Sequence, residues 1–259
     1  VGYDNITDKA QPTTPVQQEQ QKVSKHEKSA AMALFTSLLP PKEEWPSPVH
    51  KFYLAFNMDE VIDPIRQNPN WTSLDAMSRD IPQALIAIED HAFYNHGAIA
   101  VEGILRAALA NINAGEVVQG GSTLTQQFVK NVFLSHEQSM ERKIEEAVLS
   151  LMLEDNYSKD EILELYLNTT YFGAGSTGIK QASRTYFGKA PSALTLAEAA
   201  VIASLPYAPT SLNPLENPEG CKKRQLLVLA AMHKYGMINQ GQLAEAKAEK
   251  IRLTNGIVM

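Results

Sequence analysis

A single cysteine, Cys221, stands among 259 residues, which excludes an intrachain disulfide and a cysteine zinc cluster and leaves a partly buried thiol as the plain reading. Long apolar runs are also missing. The best one near the start, AAMALFTSLLP, reaches about half of the roughly 18 residues that a membrane-spanning helix needs. The chain opens on valine rather than methionine, which leaves room upstream for an anchor or signal segment. Excess positive charge is absent. Lys and Arg number 23 against 29 Asp and Glu, a net charge of −6, so a general nucleic-acid coat is excluded and any anion site must be a local patch. HExxH and EF-hand patterns are lacking, and His91 and His96 have the wrong spacing for two ligands on one helix face, which argues against a protein-only metal site. No internal repeat occurs.

What is present is a chain of ordinary hydrophobic content, 44%, long enough for a sizeable core. Residues 1–29 are polar and rich in Gln, Thr and Lys, a composition expected of a tether or mobile arm. HKFYLAFNM, residues 50–58, places Phe52, Leu54, Phe56 and Met58 on one parity, the pattern of a short strand. From about residue 72 the apolar spacing becomes three and four, as in Leu85 and Ile88 and then Val101, Ile104, Leu105, Ala108 and Ile112. That periodicity predicts a mainly α protein, with further helices over 123–134, 139–155, 159–168, 176–186, 195–204 and 219–235. Thr123 with Gln126, and Thr195 with Glu198, have capping-box spacing. The proline-rich stretch 206–220 reads as a long ordered loop.

Two glycine patterns resemble nucleotide loops and fail in context. In GEVVQGGS, Gly115, Gly120 and Ser122 fit a P-loop, but Gly121 stands where its lysine belongs, and no strand signal precedes it. GAGSTG, residues 173–178, matches a dinucleotide fingerprint yet follows the helix-like EILELYLN instead of a strand. Neither supports a nucleotide or an organic cofactor. The helix expected after Gly121 would offer free N–H groups to an anion, with Gln127, Lys130 and Asn131 about a turn further on; taken alone, that stretch reads more simply as a capped helix with a solvated polar face.

Glu89 and Asp90 end the apolar run ALIAI, and a carboxylate at such an edge can have its pKa raised into the range of a general base. A plain acidic helix end is the competing reading. In MERKIEEAVLSLMLE the spacing predicts that Ile144, Val148 and Leu151 are buried, while Arg142, Lys143 and Glu146 share the opposite face. Glu102, Arg106 and Asn113 fall on one polar face of their helix, where solvation is the simpler account.

Taken in order, IEDHAFYNHG, QGGSTLTQQFVKN, RKIEEAVLSLMLE, KDEILELYLNTTYFGAGSTGIKQASRTYFGK and LTLAEAAVIASLPYAPTSLNP resemble the successive motifs of the peptidoglycan glycosyltransferases, glycosyltransferase family 51. These are the glycan-polymerising domains of class A penicillin-binding proteins and of monofunctional transglycosylases. The resemblance runs over residues 72–236, within a domain expected to span 30–259.

The resemblance implies a lysozyme-like, two-lobed helical domain that elongates glycan strands from lipid II at the outer face of the bacterial cytoplasmic membrane, held there by an N-terminal anchor. It implies Glu89 as the base that deprotonates the acceptor 4-hydroxyl. Glu146 matches the family's second glutamate, near the donor pyrophosphate, with Arg142, Lys143 and Lys130 offsetting phosphate charge. Ser122, Gln127 and Asn131 match donor-site positions, and Arg106 a position facing the acceptor pyrophosphate. A divalent cation, Mg2+ or Mn2+, bridging Glu146 and the substrate phosphates is implied as well. The partners implied are lipid II, the growing lipid-linked chain, the outer leaflet and cell-wall synthesis or divisome proteins. One departure stands out: many members carry an arginine where this chain has Gln138, so looser donor binding, compensation by another cation or reduced activity is expected. Two other functions remain open at this point, a lipid II-binding scaffold without turnover and a lysozyme-like glycan-cleaving enzyme.

Overall fold

Local capping chemistry decides where most of the helices begin. The computed structural model describes residues 53–54, 56–100, 121–134 and 139–259. The chain divides after Leu54, and the helices and the candidate site belong to the second unit, Ala55–Met259. The expected N-terminal arm, Arg106 and Gln138 lie outside the described residues.

Nine α-helices occur among the described residues: α1 (Asp59–Arg66), α2 (Asp80–Glu89), α3 (Leu124–Phe133), α4 (Met140–Asn156), α5 (Lys159–Thr169), α6 (Ile179–Phe187), α7 (Leu196–Ser204), α8 (Pro218–Lys234) and α9 (Gln240–Ala248). Thr123 and Thr195 form the expected capping boxes with Gln126 and Glu198, and Ser158 with Glu161 and Asn239 with Gln242 form two more. Each box satisfies two backbone donors that a helix start otherwise leaves open. The β content among the described residues is two isolated bridges, Tyr171 to Thr177 and Arg252 to Val258.

The strand expected at 50–58 is not formed where the chain is described: Tyr53, Leu54 and Phe56 are helical. A spacing of four, as from Leu54 to Met58, satisfies a period of two and a period of 3.6 alike. The continuation to Ile62 and Ile65 fits only the helix.

The helices pack in two groups. In one, α2 lies against α7 and α8, and α9 lies against α8; in the other, α3 lies against α4 and α5. Helix α7 can sit at the centre because its run of small and apolar side chains is buried on all sides, and a helix apolar all round belongs in a core. Helix α6 touches both α5 and α7. The GAGSTG turn between α5 and α6 uses its glycines for close packing. A Cβ on Gly173 would lie 2.3 Å from the Pro209 carbonyl oxygen, and one on Gly178 would lie 2.6 Å from that of Asn168, both at positive φ.

Helix α4 is rotated relative to the expectation. Ile144, Val148 and Leu151 are 62%, 48% and 54% exposed, whereas Glu146, Leu149, Ser150 and Leu153 are buried. The helix carries two apolar rows, and polar anchors decide which one turns inward. Thr125 of α3 donates to Glu154 Oε1 at 2.6 Å, Lys159 of α5 donates to the same oxygen at 2.7 Å, and Lys143 reaches back to Ser122 at 3.2 Å. These bonds fix the rotation so that Leu149 and Leu153 enter the core.

Candidate active site

Glu89 is the last residue of α2, and the chain leaves helical geometry at Asp90. Asp90 anchors the turn beyond the helix. Its Oδ2 accepts the Leu124 backbone N–H at 3.0 Å, and its Oδ1 is paired with His96 Nε2 at 2.6 Å. The C-terminal end of α2 is thereby tied to the N-terminal end of α3. His91 is stacked on Tyr235, ring centroids 4.2 Å apart.

This arrangement changes one sequence expectation. The start of α3 is not an open cradle for a substrate anion, because Leu124 donates to Asp90, Thr123 to Gln126 Oε1 and Gln126 to Thr123 Oγ1. The carboxylate drawn to this helix end is the protein's own Asp90, consistent with the preference of helix N-termini for negative charge.

Gln127, one turn into α3, reaches Glu89: its Nε2 donates to Glu89 Oε2 at 3.0 Å. On its other side, Gln127 Oε1 accepts from the Tyr166 hydroxyl of α5 at 3.0 Å. Burial pushes the Glu89 pKa up, and the neighbouring Asp90 adds to this; the Gln127 hydrogen bond and the charges of Arg224 and Lys130 pull against it without cancelling it. The position at a helix C-terminus acts in the raising direction as well. Such a carboxylate, half-buried yet hydrogen-bonded, suits general-base work, since its affinity for a proton exceeds that of an ordinary glutamate.

A second group forms around Glu146. This carboxylate is 1% exposed and paired with Lys143 Nζ, which also donates to Ser122 Oγ at 3.2 Å. Sequence spacing places Lys143 and Glu146 on one face, and the structure joins them, with Ser122 brought in from the loop before α3. Lys130 and Asn131 are exposed on α3, Lys130 close enough to act on Glu89 by charge. Gln127, expected among the donor-site residues, is engaged with Glu89 instead of with the Lys143 group. Arg142 lies on α4 beside Lys143 and is half-buried. Helix α3 reaches Glu89 through Gln127 and packs against α4, the helix that carries Glu146.

Two residues at the site were missed from sequence. Tyr166 sits within ELYLN and reads there as a core aromatic. Arg224 lies in the KKRQ run of α8, and its guanidinium is stacked 4.0 Å from the centroid of Tyr207, an exposed ring in the proline-rich loop. Neither has a spacing signal, since each reaches Glu89 only through tertiary packing.

A helical unit with a shielded, proton-avid carboxylate and a second, buried carboxylate paired with Lys143 is an arrangement suited to acid–base work beside an anionic group. Comparison with known proteins gives the family. The transglycosylase family model matches residues 58–233. A Cupriavidus necator protein named as a transglycosylase is 41% identical over 194 residues, 75% of this chain and 84% of its own length. Penicillin-binding protein 1A of Aquifex aeolicus is 44% identical over 176 residues, and penicillin-binding protein 1F of Bacillus subtilis 39% over 197. The chain spans 24% and 28% of those two proteins. A crystal structure of penicillin-binding protein 1A from Haemophilus influenzae is 33% identical over 51% of this chain, with a TM-score of 0.36, a shape likeness too slight to argue from. The chain belongs to the transglycosylase family, the peptidoglycan glycosyltransferases.

Proposed function

We propose that this chain polymerises lipid II into β-1,4-linked glycan strands with Glu89 as the general base. The observation that carries the reading is the Glu89 carboxylate itself, raised in pKa by burial and held by Gln127. Glu89 takes the proton from the acceptor 4-hydroxyl as that oxygen forms a bond to the donor anomeric carbon. The bond from this carbon to the pyrophosphate oxygen breaks, so one displacement inverts the centre and releases undecaprenyl pyrophosphate. Negative charge grows on the leaving group, where Lys143, Arg142 and Lys130 act as fixed cations. Ser122 and Asn131 complete the donor side, and Arg106 serves the acceptor pyrophosphate.

Glu146 holds Lys143 in place, and its buried carboxylate supplies the lysine with a fixed counter-charge. Among the described residues no group of three metal-binding side chains occurs, and Glu146 already accepts from Lys143. Mg2+ or Mn2+ held by Glu146 together with the substrate phosphates would supply further neutralisation of the pyrophosphate.

The proposed location is the outer face of the cytoplasmic membrane. The outward row of Met140, Ile144, Val148 and Leu151 lies on the same helix as Lys143 and Glu146, and it suits the bilayer interface from which a lipid-linked donor is drawn. Incubation with lipid II, with and without Mg2+, followed by sizing of the products tests the reading. Strands of many disaccharides support it; binding without product indicates a scaffold, and soluble muropeptides released from sacculi indicate a cleaving enzyme. Gln138→Arg should tighten donor binding or raise turnover, and an unchanged enzyme would remove Gln138 from the account.

A further inference from the structure

The buried face of α5 brings one hydroxyl to the site that the reaction as written does not use. Tyr166 is 1% exposed, and its hydroxyl donates to Gln127 Oε1 at 3.0 Å while Gln127 Nε2 donates to Glu89 Oε2 at 3.0 Å. An amide has one end that donates and one that accepts. If the Gln127 amide turned over, its oxygen would face the Glu89 carboxylate, two acceptors would oppose each other, and Glu89 would have to carry a proton to satisfy both. The carboxylate itself draws the NH2 end, and a donor on the far side adds to that preference by satisfying the amide oxygen.

We infer that Tyr166 is a positioning residue for the general base: by donating to Gln127 Oε1, it holds the Gln127 amide with Nε2 on Glu89 and keeps that carboxylate in the proton-accepting form. The inference rests on the reading of Glu89 as the base and adds what sets its orientation and protonation. Tyrosine suits the task because burial, with the Glu89 charge next, pushes its own pKa far up, so the hydroxyl remains a donor throughout the working range. The other groups acting on Glu89 are Asp90 at the end of α2, Lys130 of α3 and Arg224 of α8. Helix α7, also packed on α2, brings Glu198, which is paired with Lys189 at 2.6 Å. None of these orients the amide.

Tyr166→Phe removes the hydroxyl and keeps the ring. With the amide no longer held, the Gln127 bond to the Glu89 carboxylate is lost, and loss of a hydrogen bond to a charged group corresponds to a shift of about one pH unit in the acid limb of kcat/KM, upward. Activity with lipid II should therefore fall about tenfold on the acid side and recover toward the wild-type plateau at higher pH, with KM unchanged. Gln127→Ala should raise the limb similarly, and adding Tyr166→Phe to it should shift the limb no further. A uniform loss at every pH, an unmoved limb or additive shifts in the double variant would overturn the inference. Carboxyl NMR of Glu89 in the same variants separates this inference from the proposed function. An upward titration shift in Tyr166→Phe sustains the relay even if no polymer forms, and an unshifted titration defeats it even if polymer does form.

Discussion

Replacing Lys143 with alanine takes away the ammonium that meets Glu146 and leaves that carboxylate, 2% exposed in its side chain, without its counter-charge. Stranding a fully buried ion-pair partner costs about 3–5 kcal/mol, whereas an exposed pair contributes about 0–1 kcal/mol. The lysine side chain is 47% exposed, so the pair falls between those limits, and a loss of about 2 kcal/mol is expected. For a domain of this size that lowers the melting temperature by about 4–8 °C. Glu146→Gln on the same background removes the stranded charge, so Lys143→Ala/Glu146→Gln should regain most of the lost stability. Polymer formation should recover in neither, because the leaving pyrophosphate still lacks its cation. Thermal denaturation followed by circular dichroism, with a lipid II assay beside it, reads both effects. If Lys143→Ala melts within about 1 °C of wild type, or if the double variant is less stable than the single, the pairing does not hold Glu146 as described.

The rotation of α4 makes a second prediction. Leu153→Ala, at a fully buried position, should cost about 2–5 kcal/mol, while Ile144→Ser and Val148→Ser should each stay within about 0.5 kcal/mol; chemical denaturation that reversed this order would turn the helix over. The same exposed row should matter at a lipid surface, so Ile144→Glu with Val148→Glu should weaken flotation with phospholipid vesicles while leaving the melting temperature near wild type. Glu89 should weigh on stability as well. Its folded pKa is raised, so the folded state holds the proton more tightly than the unfolded one, and stability is fullest below the unfolded pKa and declines as pH rises through the folded value. Glu89→Gln should therefore melt above wild type at neutral pH, with the gap closing in acid; a variant that melts lower at pH 7 would contradict the burial argument.

Much of the helical framework was legible because it depends on neighbours in sequence. The capping boxes at Thr123 and Thr195 gave the starts of α3 and α7, and the three-residue spacing of Lys143 and Glu146 put them within reach before any fold was known. What escaped depends on distant partners. The Glu89 to Gln127 and Gln127 to Tyr166 hydrogen bonds span 38 and 39 residues, and no periodicity reports such distances. Helix α4 has apolar rows on two sides, so periodicity established the helix but not its rotation, which the Thr125, Glu154 and Lys159 bonds settle. The open helix end expected at α3 is filled by Asp90, a carboxylate 34 residues before Leu124 that stands out in the sequence only as a neighbour of Glu89.

Everything proposed for the reaction turns on Glu89 as the base for glycan polymerisation. The most direct test is time-resolved sizing of products from lipid II made by wild type and by a Glu89→Gln protein of undiminished melting temperature. Long strands from the former and no polymer from the latter are predicted. Polymerisation by Glu89→Gln at the wild-type rate would contradict it.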